Sequence, residues 1–121
     1  MENRRYKRMK IDVPIHVEGI DLEGNTVREE TFAINISGTG AYFVSSQDYN
    51  SHKKVTVTVH LVYPLGQDVP AGTWQAKANI VRFDHVFREP SGKLKKQSVA
   101  VNFDYVLAST PAPNPWKDII D

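Results

Sequence analysis

The stretch VTVTVHLV, residues 55–62, alternates apolar and polar side chains almost without interruption. Successive side chains of a β-strand point to opposite faces of the sheet, so this period of two predicts a strand with one buried face. No long segment of the chain has the 3.6-residue period of an amphipathic helix. The stretch therefore indicates an all-β protein.

Five further segments show the same alternation on either side of this strand. They are residues 11–18, 26–36, 41–45, 73–84 and 97–106. Six short strands, several of them joined by hairpin-length turns, predict an antiparallel barrel or sandwich. The 121 residues correspond to one ordinary domain, so we expect a single core.

The connections and faces of these strands can also be predicted. Gly and Asn tolerate positive φ, so Glu23-Gly24-Asn25 predicts a hairpin turn. The polar run 88–96 is predicted to form the hairpin loop before the last strand. Within residues 26–36, alternation predicts five side chains on one face: Arg28, Glu30, Phe32, Ile34 and Ile36.

The carboxyl-terminal residues 107–121 are interpreted as a proline-rich tail. Its prolines favour an extended chain. Asn114 is suited to cap one helical turn that has Pro115 at its first position and runs to about Ile120. We therefore expect the strands to be followed by a short C-terminal helical turn.

The composition excludes several classes of protein. The hydrophobic share of 40% and the charged share of 24% are those of an ordinary globular domain. No apolar run approaches the roughly 18 residues needed to span a bilayer. The basic first residues are not followed by an apolar segment, so a secretory signal is not expected. We therefore expect a cytoplasmic protein without a membrane span.

Patterns of catalytic and metal-binding residues are missing from the sequence. The chain has no cysteine, which removes disulfides, thiol catalysis and the common cysteine-rich zinc sites. The four histidines are not paired at the short spacing of a metal site, and no Gly-x-Ser-x-Gly elbow occurs. The adjacent carboxylates Glu29 and Glu30 would face opposite sides of a strand. We predict a binding protein, not an enzyme, with no metal and no cofactor.

Positive charge is concentrated at the amino-terminal end. Residues 1–10 carry five basic side chains against one acidic, a net charge of +4, which leaves −3 for the other 111 residues. Such an arm attracts nucleic acid, anionic lipid or a nucleotide ligand, and charge alone does not choose among them. A solvated terminus without a ligand is the plain alternative.

Two motifs connect this arm to the predicted barrel. Arg4 and Arg8 have RxxxR spacing just before the first strand, and Asn35-Ile36-Ser37-Gly38-Thr39-Gly40 fits (D/N)xSxxG and precedes Ala41-Tyr42-Phe43. Either motif alone is weak, because Asn-x-Ser turns and arginines four apart are common. In this order and strand context, the pair resembles the PilZ domain, a family of bacterial cyclic di-GMP receptors built on a six-stranded β-barrel.

The resemblance implies a ligand and a set of ligand-binding residues. An arginine fork can bind phosphate or the O6/N7 edge of guanine and can stack on a base, so Arg4 and Arg8 are the main candidates. The amide of Asn35 suits a guanine edge, the hydroxyl of Ser37 suits phosphate or base, and Gly40 allows a close backbone approach. The other candidate is an auxiliary residue, Arg5.

In this interpretation residues 1–10 are a basic ligand-binding arm, residues 11–106 a PilZ-like β-barrel and residues 107–121 the tail. Binding of one cyclic di-GMP, or of a stacked pair, would order the arm and change the surface that a protein effector meets. One alternative is a ligand-free protein-interaction module of the same fold. Another alternative is nonspecific nucleic-acid binding by the arm. The net charge of −3 on residues 11–121 would repel a polynucleotide, so no nucleic-acid polymer is expected as a partner.

Overall fold

A computed structural model describes residues 13–61 and 71–110, with side chains described up to residue 104. It contains six strands: β1 (Val13–Ile20), β2 (Thr26–Ile36), β3 (Gly40–Ser45), β4 (Val55–Leu61), β5 (Gly72–Arg88) and β6 (Leu94–Thr110). They close into a barrel in the order β1-β2-β3-β6-β5-β4, with every neighbouring pair antiparallel. The six-stranded antiparallel barrel is thus confirmed, and the described residues contain no helix. The predicted turn of helix near Pro115 lies outside the described residues.

The core is formed by alternate residues of the strands, as the period of two predicted. Val57 and Val59 of β4 are completely buried, and they pair with Val17 and Ile15 of β1, which are also buried. Branched side chains of this kind pack well on a pleated surface. The interior of the barrel is therefore filled by side chains from opposing walls, and ligands must bind outside it.

In strand β2, the set of alternate residues that points to the barrel interior changes partway along the strand. Phe32 is 41% exposed, whereas Ala33 is fully buried and Ile36 packs against the core. The register with β3 steps from Ala33 to Asn35, so one extra residue, Ile34, sits in a β-bulge. A one-residue insertion exchanges the two faces. The prediction that Phe32 and Ile36 share a face is therefore wrong.

The β5–β6 hairpin is longer than the sequence suggested. The predicted loop 88–96 is wrong at both ends, because Arg88 still belongs to β5 and β6 begins at Leu94. Arg88 pairs with Leu94, and the loop between them is closed by a bond from the Glu89 amide to the Lys93 carbonyl, 2.8 Å. Residues 88–96 are mostly polar because this end of the hairpin is exposed to solvent, and their polarity does not indicate that the strands end there.

The turn between β1 and β2 has the predicted location. The Asp21 amide donates to the Asn25 carbonyl at 2.9 Å, and Gly24 has a φ of 86°. A positive φ is readily adopted by glycine, which explains why this residue stands at the tip of the hairpin.

Strand β3 sits between unequal neighbours. It pairs with β6 along its whole length, from Gly40 to Ser45, but with β2 only at Ala41–Phe43. Its two ends therefore lie in different surroundings, and each end borders a separate cavity.

Candidate functional site

The motif turn connects β2 to β3 and is folded tightly on itself. The Ser37 amide donates to the Gly40 carbonyl at 2.9 Å. The Ser37 hydroxyl accepts from the Thr39 amide at 3.2 Å and lies 3.1 Å from the Thr39 hydroxyl. A serine that bonds a backbone amide two residues ahead stabilises a turn locally. The position of Ser37 is thus set by the turn itself.

Glycine at position 40 is required by the packing of two strands. Gly40 faces Asn102 of β6, and a Cβ atom here would overlap the carbonyl oxygen of Val101. The Phe103 amide also donates to the Thr39 carbonyl at 2.8 Å. The last motif glycine therefore lets β3 approach β6 closely.

A cleft of about 250 Å³ lies on the outer surface beside this turn. It brings together Asn35, Ser37 and Gly40, the three predicted site residues that the structure describes. Ile34 in its bulge turns Asn35 outward beside Tyr42. The predicted arm residues Arg4, Arg5 and Arg8 lie outside the described residues.

The cleft is also lined by Tyr42, directly beside Asn35, and by Arg82, and these two residues form a group with Asp84 that the sequence did not reveal. Tyr42 donates its phenolic hydrogen to Asp84 Oδ2 at 2.9 Å, and Arg82 Nε donates to the same oxygen at 2.9 Å. The Arg82 guanidinium carbon lies 5.8 Å from the centroid of the Tyr42 ring, within the range of a cation–π contact. Tyr42, Arg82 and Asp84 are called the Tyr–Arg–Asp cluster below.

Simple alternation would place Arg82 inside the barrel. Ile80 pairs with the buried Val101, but Arg82 pairs with the next residue of β6, Ala100, so Val81 forms a bulge. The bulge turns Arg82 and then Asp84 to the outer surface. Two charged residues, Arg82 and Asp84, at the positions that continue the apolar face of Trp74, Ala76, Ala78 and Ile80 were the signal available in the sequence.

The protonation states of the cluster follow from these contacts. Hydrogen bonds from Tyr42 and then Arg82 hold the pKa of Asp84 below its ordinary value. Burial, followed by the bond to Asp84, raises the pKa of Tyr42. At neutral pH Asp84 is thus a carboxylate and Tyr42 a phenol donor. Among the described residues, the two Nη groups of Arg82 have no hydrogen-bond partner.

The PilZ domain matches residues 2–86, a range that contains both motifs. The chain belongs to the PilZ domain family. PilZ domains are receptor domains of the cyclic di-GMP type and are not a known enzyme family. No curated protein matches the sequence significantly.

A solved structure shares the fold of this PilZ domain. It is that of the Bacillus subtilis inhibitor of motility, MotI/DgrA, with a TM-score of 0.51 and 15% sequence identity. The alignment covers 89% of the present chain and 45% of the MotI/DgrA chain, so the present chain spans less than half of that protein. In the described residues, no helix is long and apolar enough to cross a membrane.

The described part of the PilZ cleft lacks two things that a dinucleotide needs. Among its described lining residues only Arg82 is charged, and Asp84 beside it cancels that charge. The 250 Å³ also falls below the roughly 300–1,000 Å³ that is typical of small-molecule sites. Further cations and further surface must therefore come from another part of the chain if a ligand with two phosphates binds here.

Proposed function

We propose that this PilZ domain is a cyclic di-GMP receptor, with a site formed by the amino-terminal arm and the cleft beside the Asn35–Gly40 turn. The observation that carries the proposal is that Asn35 and Ser37 share one outer cleft with Arg82. These side chains supply an amide, a hydroxyl and a guanidinium to the same space. They match the chemistry of guanine edges and phosphates.

Each side chain has a distinct role in the proposed complex. The Asn35 amide pairs with a guanine edge and the Ser37 hydroxyl bonds a phosphate or base oxygen. The Arg82 guanidinium is held through Nε by Asp84, which leaves its Nη groups for the ligand. A guanidinium fixed in advance loses less side-chain entropy on binding than a mobile one.

The arm supplies the charge that the cleft lacks. Arg4 and Arg8 bind phosphate or the guanine O6/N7 edge, and Arg5 makes an outer phosphate contact. Because residues 1–10 carry a net charge of +4, they balance the two phosphates that the neutral cleft does not. Drawing the arm against the barrel changes the surface of the domain, and a protein effector reads that change.

Calorimetric titration of the purified chain with cyclic di-GMP tests the proposal. We expect saturable heat at about 50 μM protein, and Arg4→Ala and Arg8→Ala should each weaken binding by more than about 1 kcal/mol. Arg28→Ala is the matched control, because Arg28 is an exposed arginine of β2 whose described partner is Glu18. Folded wild-type protein that gives no heat would overturn the receptor function.

Three further measurements separate the proposed site from its rivals. Unchanged affinity in the double arginine variant would show that the ligand binds elsewhere. Equal, salt-sensitive binding of any oligonucleotide would support nonspecific nucleic-acid binding by the arm instead. A folded chain that binds an effector protein but no cyclic di-GMP would support the ligand-free interaction module.

A further inference from the structure

A groove of about 490 Å³ lies on the outer surface of the barrel, between β2 and the β5–β6 hairpin. Contacts within the chain close its floor. The Thr31 hydroxyl donates to the Val44 carbonyl at 2.6 Å, and the Ser46 amide donates to Glu29 Oε1 at 3.3 Å. Another strand therefore cannot pair along β2 here, and the groove can receive only side chains from a partner surface.

The wall of the groove that the β5–β6 hairpin forms is apolar and basic. Phe87 is 59% exposed and pairs with Lys96 in the register of the two strands, so these side chains lie on one face. Lys95 also lines the groove. Within the described residues, neither lysine has an ion pair. This wall therefore presents an exposed aromatic ring beside uncompensated positive charge.

The wall that β2 forms is apolar and acidic. Glu30 lines the groove, and its side chain is 85% exposed even though it bonds His16 Nδ1 at 2.9 Å. Phe32, two residues further along the strand, shares the face of Glu30 and is 41% exposed. Glu29 differs, because its oxygens accept hydrogen bonds from two hydroxyl groups of the chain. Glu30 is thus the carboxylate that can meet a partner.

The two walls have the same make-up and opposite charge. Each carries one exposed phenylalanine beside an exposed charged side chain, which is negative on β2 and positive on the hairpin. A purely acidic or purely basic partner would be attracted by one wall and repelled by the other. A second copy of the chain, turned about a two-fold axis, presents its basic wall to the acidic wall and its acidic wall to the basic wall. The groove is therefore self-complementary.

We propose that this surface binds a second copy of the chain in a symmetric dimer. Lys96 of each copy meets Glu30 of the other copy, and Phe87 of each packs against Phe32 of the other. The walls are short, and small interfaces are typical of weak association, so we expect a reversible dimer with a micromolar dissociation constant. Asn35 does not line this groove, so the inference does not depend on cyclic di-GMP binding.

Sedimentation equilibrium of the full chain, between about 5 and about 500 μM, tests whether the dimer forms. We expect the mean mass to rise with concentration from that of the monomer towards that of the dimer. Phe87→Ala should raise the dissociation constant at least about tenfold. Val81→Ala is the matched control, since Val81 is 50% exposed and does not line the groove. Wild type that stays monomeric throughout, or equal losses in both variants, would overturn the proposal.

Reversal of single charges tests which walls meet. Glu30→Lys and Lys96→Glu should each weaken self-association at least about tenfold, because like charges then meet twice in the symmetric dimer. An equimolar mixture of the two variants should associate again, since both contacts of the mixed pair join opposite charges. Lys53→Glu, at an exposed lysine outside the groove, is the matched control. A mixture that stays monomeric would contradict the proposed pairing.

Titration of the charge variants with cyclic di-GMP separates the dimer from the receptor function. Neither Glu30 nor Lys96 lines the motif cleft, so the heat of ligand binding should be unchanged in variants that no longer dimerise. Failure of the receptor function would appear as missing heat in wild type and would leave the dimer unaffected. Charge variants that associate as strongly as wild type would assign the dimer to another surface and overturn the proposal.

Discussion

The two ends of β3 show how one short strand can border two unlike surfaces. At Gly40, β3 lies against β6 so closely that a side chain would overlap the Val101 carbonyl, and the cleft outside it is small and polar. At Ser45, β3 has lost β2 as a backbone partner, and a wider groove with an exposed phenylalanine opens. Backbone pairing closes the first end, whereas side-chain hydrogen bonds shape the second.

The difference arises from residues placed in β2. The bulge at Ile34 turns Asn35 outward to the closed end, and Glu29 holds Ser45 and Tyr49 at the open end. Changes confined to either end should therefore have separate consequences. Both ends should contribute to stability, whereas only changes at the closed end should alter ligand affinity.

The largest change in stability is expected from Glu29→Ala, at the open end of β3. Loss of the carboxylate leaves the Tyr49 hydroxyl, on a residue only 1% exposed, without its acceptor. We expect the free energy of unfolding to fall by about 3 kcal/mol, measured by urea denaturation. Glu30→Ala removes the neighbouring exposed carboxylate and should cost less than about 0.5 kcal/mol. Equal losses in both variants would mean that Glu29 does not hold the open end.

Gly40→Ala should disturb the closed end. The added methyl group meets a backbone carbonyl, which cannot rotate away, so we expect a loss of about 2 kcal/mol in stability. Cyclic di-GMP affinity should fall as well, because Asn35 and Ser37 would shift with the strand. Thr39→Ala, at the exposed neighbouring position, is the control for stability. An alanine variant as stable as wild type would show that β3 and β6 can separate without cost.

Asp84→Asn should act on ligand affinity more than on stability. A neutral amide holds Arg82 less firmly than a carboxylate does, so cyclic di-GMP binding should weaken by about 1 kcal/mol in calorimetry. Tyr42→Phe keeps the ring under Arg82 and removes the bond to Asp84, and its effect should be smaller. A larger loss for Tyr42→Phe than for Asp84→Asn would indicate that the hydroxyl itself contacts the ligand.

The smallest expected effect is a pH dependence of folding stability, caused by Asp84 at the closed end. The folded pKa of Asp84 is depressed, so its contribution to stability is complete above the ordinary value of 3.8 and is lost as pH falls through the lower folded pKa. We expect wild type to lose more stability than Asp84→Asn between about pH 6 and pH 2. Parallel stability profiles for the two proteins would contradict this assignment.

Alternation along the chain predicted six strands because apolar side chains at period two can be buried only on one face of a sheet. It failed at Phe32 and Ile36, and it would have placed Arg82 inside the barrel. Both errors have one cause. A bulge is produced by the register between two strands, and residues in either strand alone do not encode that register.

The candidate site was predicted to a similar extent. The turn from Asn35 to Gly40 was found because Asn, Ser and Gly have specific local backbone chemistry. Arg82 and Asp84 were missed because they lie more than 40 residues after this turn in the chain. They face Tyr42 only because the bulge at Val81 turns the following residues of β5 outward. The role of the arm in ligand binding remains a prediction from Arg4 and Arg8, which lie outside the described residues.

By itself, the sequence determined the all-β class, the approximate strands and the family motifs, because these depend on local periodicity, local turn chemistry and residue identity. Tertiary structure alone decided which faces point inward after each bulge, which strand closes on Gly40 and where the barrel stays open beside Glu29. These features arise from contacts between segments distant in the chain. Their geometry is set by how six strands share one closed barrel, so no single segment contains it.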